Sequence, residues 1–188
     1  LTRLKLELAM LRDTPAADAM ASDVDEMDRM IEGYLAFARG AAGERAVDTD
    51  INALMGEAVG DARRQGGKVD FAATGDLRGR LRPLSLKRCL DNLLGNAQRY
   101  ADRCALAARR DGDMIEITVD DDGPGIPEDE REAAFRPFYR LENSRNQGTG
   151  GVGLGLAISR DTVRNQGGDV VLGEAPQGGL RAVIRLPA

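Results

Sequence analysis

Asn92-Leu-Leu-Gly-Asn-Ala-Gln-Arg-Tyr100 (NLLGNAQRY) closes a helix-forming run, Pro83–Ala101, that opens with a proline in its first turn. At ~100° per residue, Leu86, Leu90, Leu93, Leu94 and Ala97 fall on one side of that helix. Asn92, Asn96 and Arg99 lie within about 40° of a common line on the other side. An exposed helix face ordinarily carries Glu and Lys, because Asn is a mediocre helix former. Two Asn one turn apart therefore suggest a use, although taken alone a plain solvated face is the favoured account of them. An amide oxygen is a hard, neutral ligand suited to Mg²⁺, which keeps several waters and bridges phosphates. Arg99, on the next turn, offers a fork for phosphate oxygens.

Three further stretches follow in order. The alternating run Met114–Val119 reads as a strand and leads into Asp120-Asp121-Asp122-Gly123-Pro124-Gly125-Ile126-Pro127. An ionised carboxylate only accepts hydrogen bonds, so Asp121 is suited to select an exocyclic amine such as adenine N6. Gly123 and Gly125 permit close backbone approach, and Ile126 offers an apolar surface for a flat base. A simple DG turn remains an alternative. A calcium loop is disfavoured, because the alternating oxygen ligands and terminal Glu are missing. Next, Phe135-Arg136-Pro137-Phe138-Tyr139-Arg140 gathers three of the chain's seven aromatic residues ahead of a polar, glycine-laden stretch, Leu141–Gly151. An aromatic anchor beside such a stretch is how a movable lid is built. Finally, Gly151-Val152-Gly153-Leu154-Gly155-Leu156 opens a second helix, read as Gly151–Asn165. Glycines there let backbone N–H groups point at phosphate oxygens. No Lys-Ser/Thr follows the glycines, so this is not a Walker A loop, and the Rossmann position is wrong as well. Each motif is weak alone. Four in this order describe a pocket for a nucleotide and a hard cation.

The rest of the chain fits around these motifs. Ile51–Arg64 reads as a helix, and Lys68–Ala72 as a strand. Cys104–Ala108 and Met114–Val119 form a hairpin across Asp111-Gly112-Asp113. Val170–Gly173 and Leu180–Leu186 are closing strands joined around Pro176–Gly179. The expected class is α+β, a two-layer sandwich of helices on a mainly hairpin-connected sheet. Ahead of it, Leu1, Leu4, Leu8 and Leu11, then Val24, Met27, Ile31, Tyr34 and Ala38, mark two heptad seams. They predict an antiparallel helical hairpin over residues 1–40. Its small core calls for a second copy, giving a four-helix dimer, or else for packing against its own domain. Residues 41–50, with the GAAG stretch, read as a linker, and residues 51–188 as the nucleotide-binding domain.

With 188 residues, 42% of them hydrophobic, a core is affordable. A net charge of −5 without a basic track argues against nucleic acid as a partner. Cys89 and Cys104 form no CxxC pair and read as apolar fillers in a reducing compartment. No stretch approaches the ~18 apolar residues of a membrane span. The sequence contains no histidine.

Taken together, the sequence resembles the dimerisation and catalytic ATP-binding portions of sensor histidine kinases, of the osmosensor subgroup. These belong to the Bergerat-fold group that also holds DNA gyrase. NLLGNAQRY resembles the family's N box, DDGPGIP the first glycine box, FRPFYR the F box, and GVGLGLAI the second glycine box. Leu1–Leu11 resembles the helix that follows the HDLRTP acceptor motif. The resemblance implies ATP and Mg²⁺ as cofactors. Asn96 would hold the metal with Asn92 in support, and Arg99 and Tyr100 would border phosphates and base. Asp121 would accept from adenine N6, with Gly123, Gly125 and Ile126 shaping the base site. Tyr139 and Arg140 would lead the lid. Gly151, Val152, Gly153, Leu154, Gly155 and Leu156 would line the phosphates. Arg99 departs from a common Lys, and Val152 from a frequent Thr or Ser.

The resemblance further implies a homodimer through the hairpin, a response-regulator receiver domain as partner, and a cytoplasmic location. Any membrane anchor would belong to a parent segment. The chain reads as a fragment that starts after the acceptor motif, with no catalytic histidine of its own. A degenerate nucleotide-gated scaffold and a Bergerat ATPase are the alternatives. The F box and the hairpin argue against the ATPase, as does the lack of a water-activating carboxylate in NLLGNA. From the lid reading, amide hydrogen exchange across residues 141–150 is expected to slow when an ATP analogue is added.

Overall fold

The computed structural model describes residues 44–141 and 153–188, together with Met20 and Val24. The chain divides into two units, Leu1–Arg39 and Gly40–Ala188. The sequence-predicted hairpin over 1–40, the start of the linker, most of the lid, and Gly151 and Val152 lie outside the described residues.

Strand β1 (Val47–Asp50) runs directly into helix α1 (Ile51–Arg64). Asp50 is the N-cap, its Oδ1 accepting from the Ala53 N–H at 3.0 Å. There follow β2 (Val69–Ala73), β3 (Arg78–Leu81), helix α2 (Pro83–Tyr100), β4 (Cys104–Asp111) and β5 (Met114–Asp121). Two short 3₁₀ turns, Glu128–Glu130 and Ala133–Phe135, precede helix α3 (Gly155–Arg164) and the closing hairpin β6 (Asp169–Glu174) and β7 (Leu180–Pro187). Five strands form one sheet in the order β2-β4-β5-β7-β6. The β2–β4 pair is parallel and the other pairs are antiparallel. The helices pack side by side on one face: α1 against β2 and β4, α2 against β4 and β5, and α3 against β6 and β7. This is the two-layer α+β sandwich expected from the pattern.

Strand parity decides what each face carries. On β5 the apolar residues Ile115, Ile117 and Val119 are buried toward the helices, joined by Leu106 of β4 and Ile184 and Leu186 of β7. From α2, Leu86, Leu90 and Leu94 meet them. The opposite face carries paired charges among small and apolar residues such as Ala105, Ala107 and Val183. Glu116 lies between Arg109 and Arg185, at 2.8 and 3.1 Å, and Asp120 pairs with Arg181 at 2.6 Å. In register, Glu116 stands opposite Arg109 and Arg185, and Asp120 opposite Arg181. These cross-strand pairs lie on the face turned away from α1, α2 and α3. The Arg109 guanidinium holds the Glu116 carboxyl below its usual range. Cys89 and Cys104 are free and buried, and burial pushes their thiols up to about 12 and about 11.

Two expectations need correction. Val47–Asp50, read as linker, is a strand paired antiparallel with β3, from Val47 opposite Leu81 to Asp50 opposite Arg78. VDTD and RGRL each hold one large apolar residue, so neither shows an alternating signal; only their pairing buries Thr49, Gly79 and Leu81. Helix α3 starts at Gly155, not Gly151. Gly153 has φ +73°, a left-handed conformation that a helix cannot include.

Glu44, also read as linker, is built into the domain. No side chain within α2's own N-terminus caps it. Instead the Glu44 carboxylate accepts from the Leu84 and Ser85 N–H groups, at 2.7 and 3.0 Å, and from the Ser85 hydroxyl at 2.5 Å. This satisfies donors that a helix start leaves over. Glu44→Ala is therefore expected to lower unfolding free energy by about 1 kcal/mol, in the range of a lost N-cap. Urea denaturation measures the loss, and faster exchange of the Leu84 and Ser85 amides locates it.

Candidate functional site

The four motifs meet through their glycines. Asn92 and Asn96 are half-buried at the start of α3 rather than on a solvent face. The Asn92 amide donates to the Gly155 carbonyl at 3.5 Å. A Cβ built on Gly155 would lie 3.8 Å from Asn96 Nδ2 and 3.9 Å from Asn92 Cβ. Among the described residues Asn96 makes no hydrogen bond, so its amide is spare. Leu154 gives α3 no side-chain cap. The first N–H groups of α3 thus lie beside the Asn96 amide, the donor set that an anion with a cation attached would meet.

One turn beyond Asn96, at the last residue of α2, the Tyr100 carbonyl abuts Gly123, where a Cβ would sit 2.7 Å from it. The three carboxylates at the end of β5 have separate employments. Asp120, on the outer face, is forked by Arg181. Asp122 Oδ1 accepts from the Asp102 and Arg103 N–H groups, each at 2.9 Å, and these backbone bonds, Arg103's first, hold its carboxyl below the usual range. Asp121 has the parity of Ile117 and Val119, so its carboxylate emerges toward the helices. Its Oδ1 accepts from the Gly123 N–H at 2.9 Å and the Leu180 N–H at 3.0 Å. Among the described residues its Oδ2 takes no hydrogen bond. One oxygen is locked by two backbone donors and the other is presented, which suits a fixed acceptor for an amine.

The segment after Ile126 reaches back to α3. Phe135 is buried in the core. Phe138 is 56% exposed with φ +65°, and its N–H donates to the Gly153 carbonyl at 2.9 Å. A Cβ on Gly153 would strike the Tyr139 carbonyl at 2.8 Å, so only glycine fits there. The Tyr139 hydroxyl donates to Glu130 at 2.5 Å, and that carboxylate pushes the phenol up.

The structure thus sets Asn92 and Asn96 beside Gly155, Tyr139 beside Gly153, and Tyr100 beside Gly123 next to Asp121. A Cβ built on Gly125, φ +69°, would lie 3.1 Å from the Gly179 carbonyl, and the neighbouring Ile126 is half-buried. Two expected lining residues serve the core instead: Leu154 is buried and Leu156 packs against it. Arg99 is exposed at the end of α2. Arg140 is half-buried. Sequence reasoning missed Gly179 and Leu180. Gly179, φ +86°, touches the Asp121 carbonyl so closely that a side chain there would collide. The paired glycines ahead of the last strand were the available signal. Two grooves, of about 550 and 170 Å³, lie along α1 and between α1 and α2. Neither contains a residue assigned to nucleotide, so the site rests on the juxtaposed donors and acceptors.

Residues 82–188 match the family described as histidine kinase-, DNA gyrase B- and HSP90-like ATPase. Over its whole length the chain is 35% identical to the sensor histidine kinase GtrS of Pseudomonas aeruginosa and 35% identical to the sensor histidine kinase CpxA of Escherichia coli. It spans 39% and 44% of those proteins. Among solved structures, the ATP-binding domain of PrrB from Mycobacterium tuberculosis is 30% identical, with a TM-score of 0.65 over 77% of this chain and 98% of that one. The histidine kinase domain of the E. coli osmosensor EnvZ is 32% identical, with a TM-score of 0.61 over 79% of this chain and 92% of that one. A catalytic ATP-binding domain of the histidine kinase-, DNA gyrase B- and HSP90-like ATPase family, with sensor histidine kinases as its relatives, is therefore what this chain carries, and to that family it belongs.

Proposed function

We propose that the chain is the kinase portion of a two-component sensor. It would bind ATP with Mg²⁺ and present the γ-phosphoryl to a histidine outside these 188 residues, from which a response-regulator aspartate receives it. The observation that carries this reading is the approach of Asn96 to Gly155 at the uncapped start of α3, with Asp121 at the strand end reached through Tyr100 and Gly123.

Each group has a role in that reading. Asp121 Oδ2 accepts from adenine N6, and Gly123, Gly125 and Ile126 bound the base. Asn96 would hold Mg²⁺ through its amide oxygen, with Asn92 in support. The donor set fits: the amide is spare, and among the described residues no cluster of three or more acidic, Cys or His side chains competes as a metal site. Bound there, Mg²⁺ would neutralise charge on the phosphates. The N–H groups at the start of α3 face the same oxygens. Gly151, Val152, Arg99, Tyr100, Tyr139 and Arg140 are assigned to the phosphate side and lid. Phosphoryl transfer is mostly positioning and charge stabilisation around an in-line nucleophile. The sequence contains no imidazole, so the acceptor must be supplied.

The partners follow from the same reading: a second copy through residues 1–40, and a receiver domain. No helix of the described residues is long and apolar enough to cross a membrane. A cytoplasmic site of action with a membrane-anchored parent is the location this reading implies.

Two substitutions test the pocket. In Asp121→Asn the amide oxygen can keep the Gly123 and Leu180 bonds, which turns the NH₂ toward the adenine amine. Losing a hydrogen bond to a charged acceptor and opposing two donors should weaken ATP binding by about 10–100-fold, read by calorimetry, with GTP affected far less. Asn96→Asp should change the metal dependence and abolish productive ATP binding. Unchanged ATP affinity in both variants would refute the pocket.

The kinase reading has its own test. Extending the chain ahead of Leu1 by a histidine-bearing HDLRTP-type segment should yield acid-labile, base-stable label from γ-labelled ATP. ATP binding without any such label would leave a nucleotide-gated scaffold as the better description.

A further inference from the structure

Arg160 lies on α3, more than a turn beyond the helix start that faces the phosphates, and no motif includes it. Its side chain is only 12% exposed, and its guanidinium meets three groups from two other segments. It forks the Glu132 carboxylate at 2.7 and 3.1 Å. Its Nε donates to Asp169 Oδ1 at 3.0 Å. Its carbon centre stands 4.2 Å over the ring centroid of Phe135, a cation–π contact from inside the F box. Nothing in nucleotide binding as derived above explains why a guanidinium should be buried here.

The segment it grips is the one that shapes the phosphate turn. Glu132 and Phe135 bracket the second 3₁₀ turn, Ala133–Phe135. Three residues on, the Phe138 N–H bonds the Gly153 carbonyl, and the Phe138–Tyr139 backbone fills the space beside Gly153. The chain is therefore fastened to α3 at two levels, by Arg160 in the body of the helix and by Gly153 just ahead of it. Phe138 keeps a left-handed φ of +65° although it is not glycine. Such a conformation persists only where its surroundings over-determine it.

We propose that Arg160 is a positioning residue for the nucleotide site: by clamping Glu132 and Phe135 it sets the Phe138–Gly153 contact and so the aim of the first N–H groups of α3. It does not touch the nucleotide. The charge environment agrees with the geometry. The Asp169 carboxyl is held well below the usual range by the Arg164 guanidinium and then by Arg160, and the Glu132 carboxyl is lowered chiefly by Arg160. Arg164 makes a useful contrast, because it bonds Asp169 at 2.9 Å but neither Glu132 nor Phe135.

The inference rests on the nucleotide reading of the site, and the test separates the two. ATP affinity in the presence of Mg²⁺ is measured by calorimetry on the full 188-residue chain, with thermal unfolding and amide exchange in parallel. Arg160→Ala should weaken ATP binding by roughly tenfold, the scale of a small misplacement of a binding group, and speed exchange of the Phe138 amide. Arg160→Lys, which keeps the charge over the ring, should recover part of the affinity. Arg164→Ala should leave ATP affinity unchanged. Wild-type affinity in Arg160→Ala, together with loss in Asp121→Asn, overturns the clamp alone. Retained affinity in both overturns the site reading instead. An equal loss in Arg164→Ala and Arg160→Ala makes the effect generic ion-pair loss and also overturns the clamp. Should Arg160→Ala fail to fold, Phe135→Leu removes the ring face, keeps an apolar side chain, and is read by the same outcomes.

Discussion

Asp121 Oδ1 accepts two backbone hydrogen bonds, from the Gly123 N–H in its own turn and from the Leu180 N–H at the start of β7. Through these bonds one carboxylate is tied both to its own turn and to a part of the chain 59 residues further on. The local bond closes the glycine turn, and the distant one draws the β6–β7 turn against it, where Gly179 packs on the Asp121 backbone and on Gly125. Removing either donor frees the carboxylate to rotate, and its second oxygen would no longer be aimed. A hydrogen bond to an ionised group is about twice as strong as a neutral one. A nearly buried carboxylate that lost both donors would also be left costly to ionise.

The same strand separates two kinds of work by parity. Ile115, Ile117, Val119 and Asp121 point toward the helices, while Glu116 and Asp120 point away and are neutralised by Arg109, Arg185 and Arg181. The core and the Asp121 carboxylate therefore share a face. The proposed nucleotide site is the place where the apolar layer between sheet and helices runs out at the strand end, with Asn92 and Asn96 of α2 assigned to that edge. A one-residue slip of β5 would send Asp121 to the arginine-covered face and bring Asp120 or Asp122 in its stead.

Much of this was legible from residue order alone. The long helix Pro83–Tyr100, the β4–β5 and β6–β7 hairpins and the helix Ile51–Arg64 follow from periodicity and turn residues that lie side by side in the sequence. The pairing of VDTD with RGRL was not legible, because each strand is mostly charged and polar and becomes half-buried only against the other. The start of α3 is placed too early when all three glycines are read as opening the helix, whereas Gly153 is left-handed, packed against the Phe138–Tyr139 backbone from another segment. Leu154 and Leu156 sit inside a glycine motif, yet their side chains serve the core.

By itself the sequence determined the inventory: which side chains could accept, coordinate or fork, in what order they come, and which face of each helix or strand they occupy. Those properties depend on neighbours one to four positions away. Tertiary structure alone decided that Gly155 stops against Asn92 and Asn96, that Tyr100 abuts Gly123, that Leu180 locks Asp121, and that Glu44 caps α2. Each is a close approach between segments tens of residues apart, chosen by which strands pair and how the helices pack across them. Spacing along the chain carries no record of such distances, because the covalent chain between the partners is long enough to allow countless others.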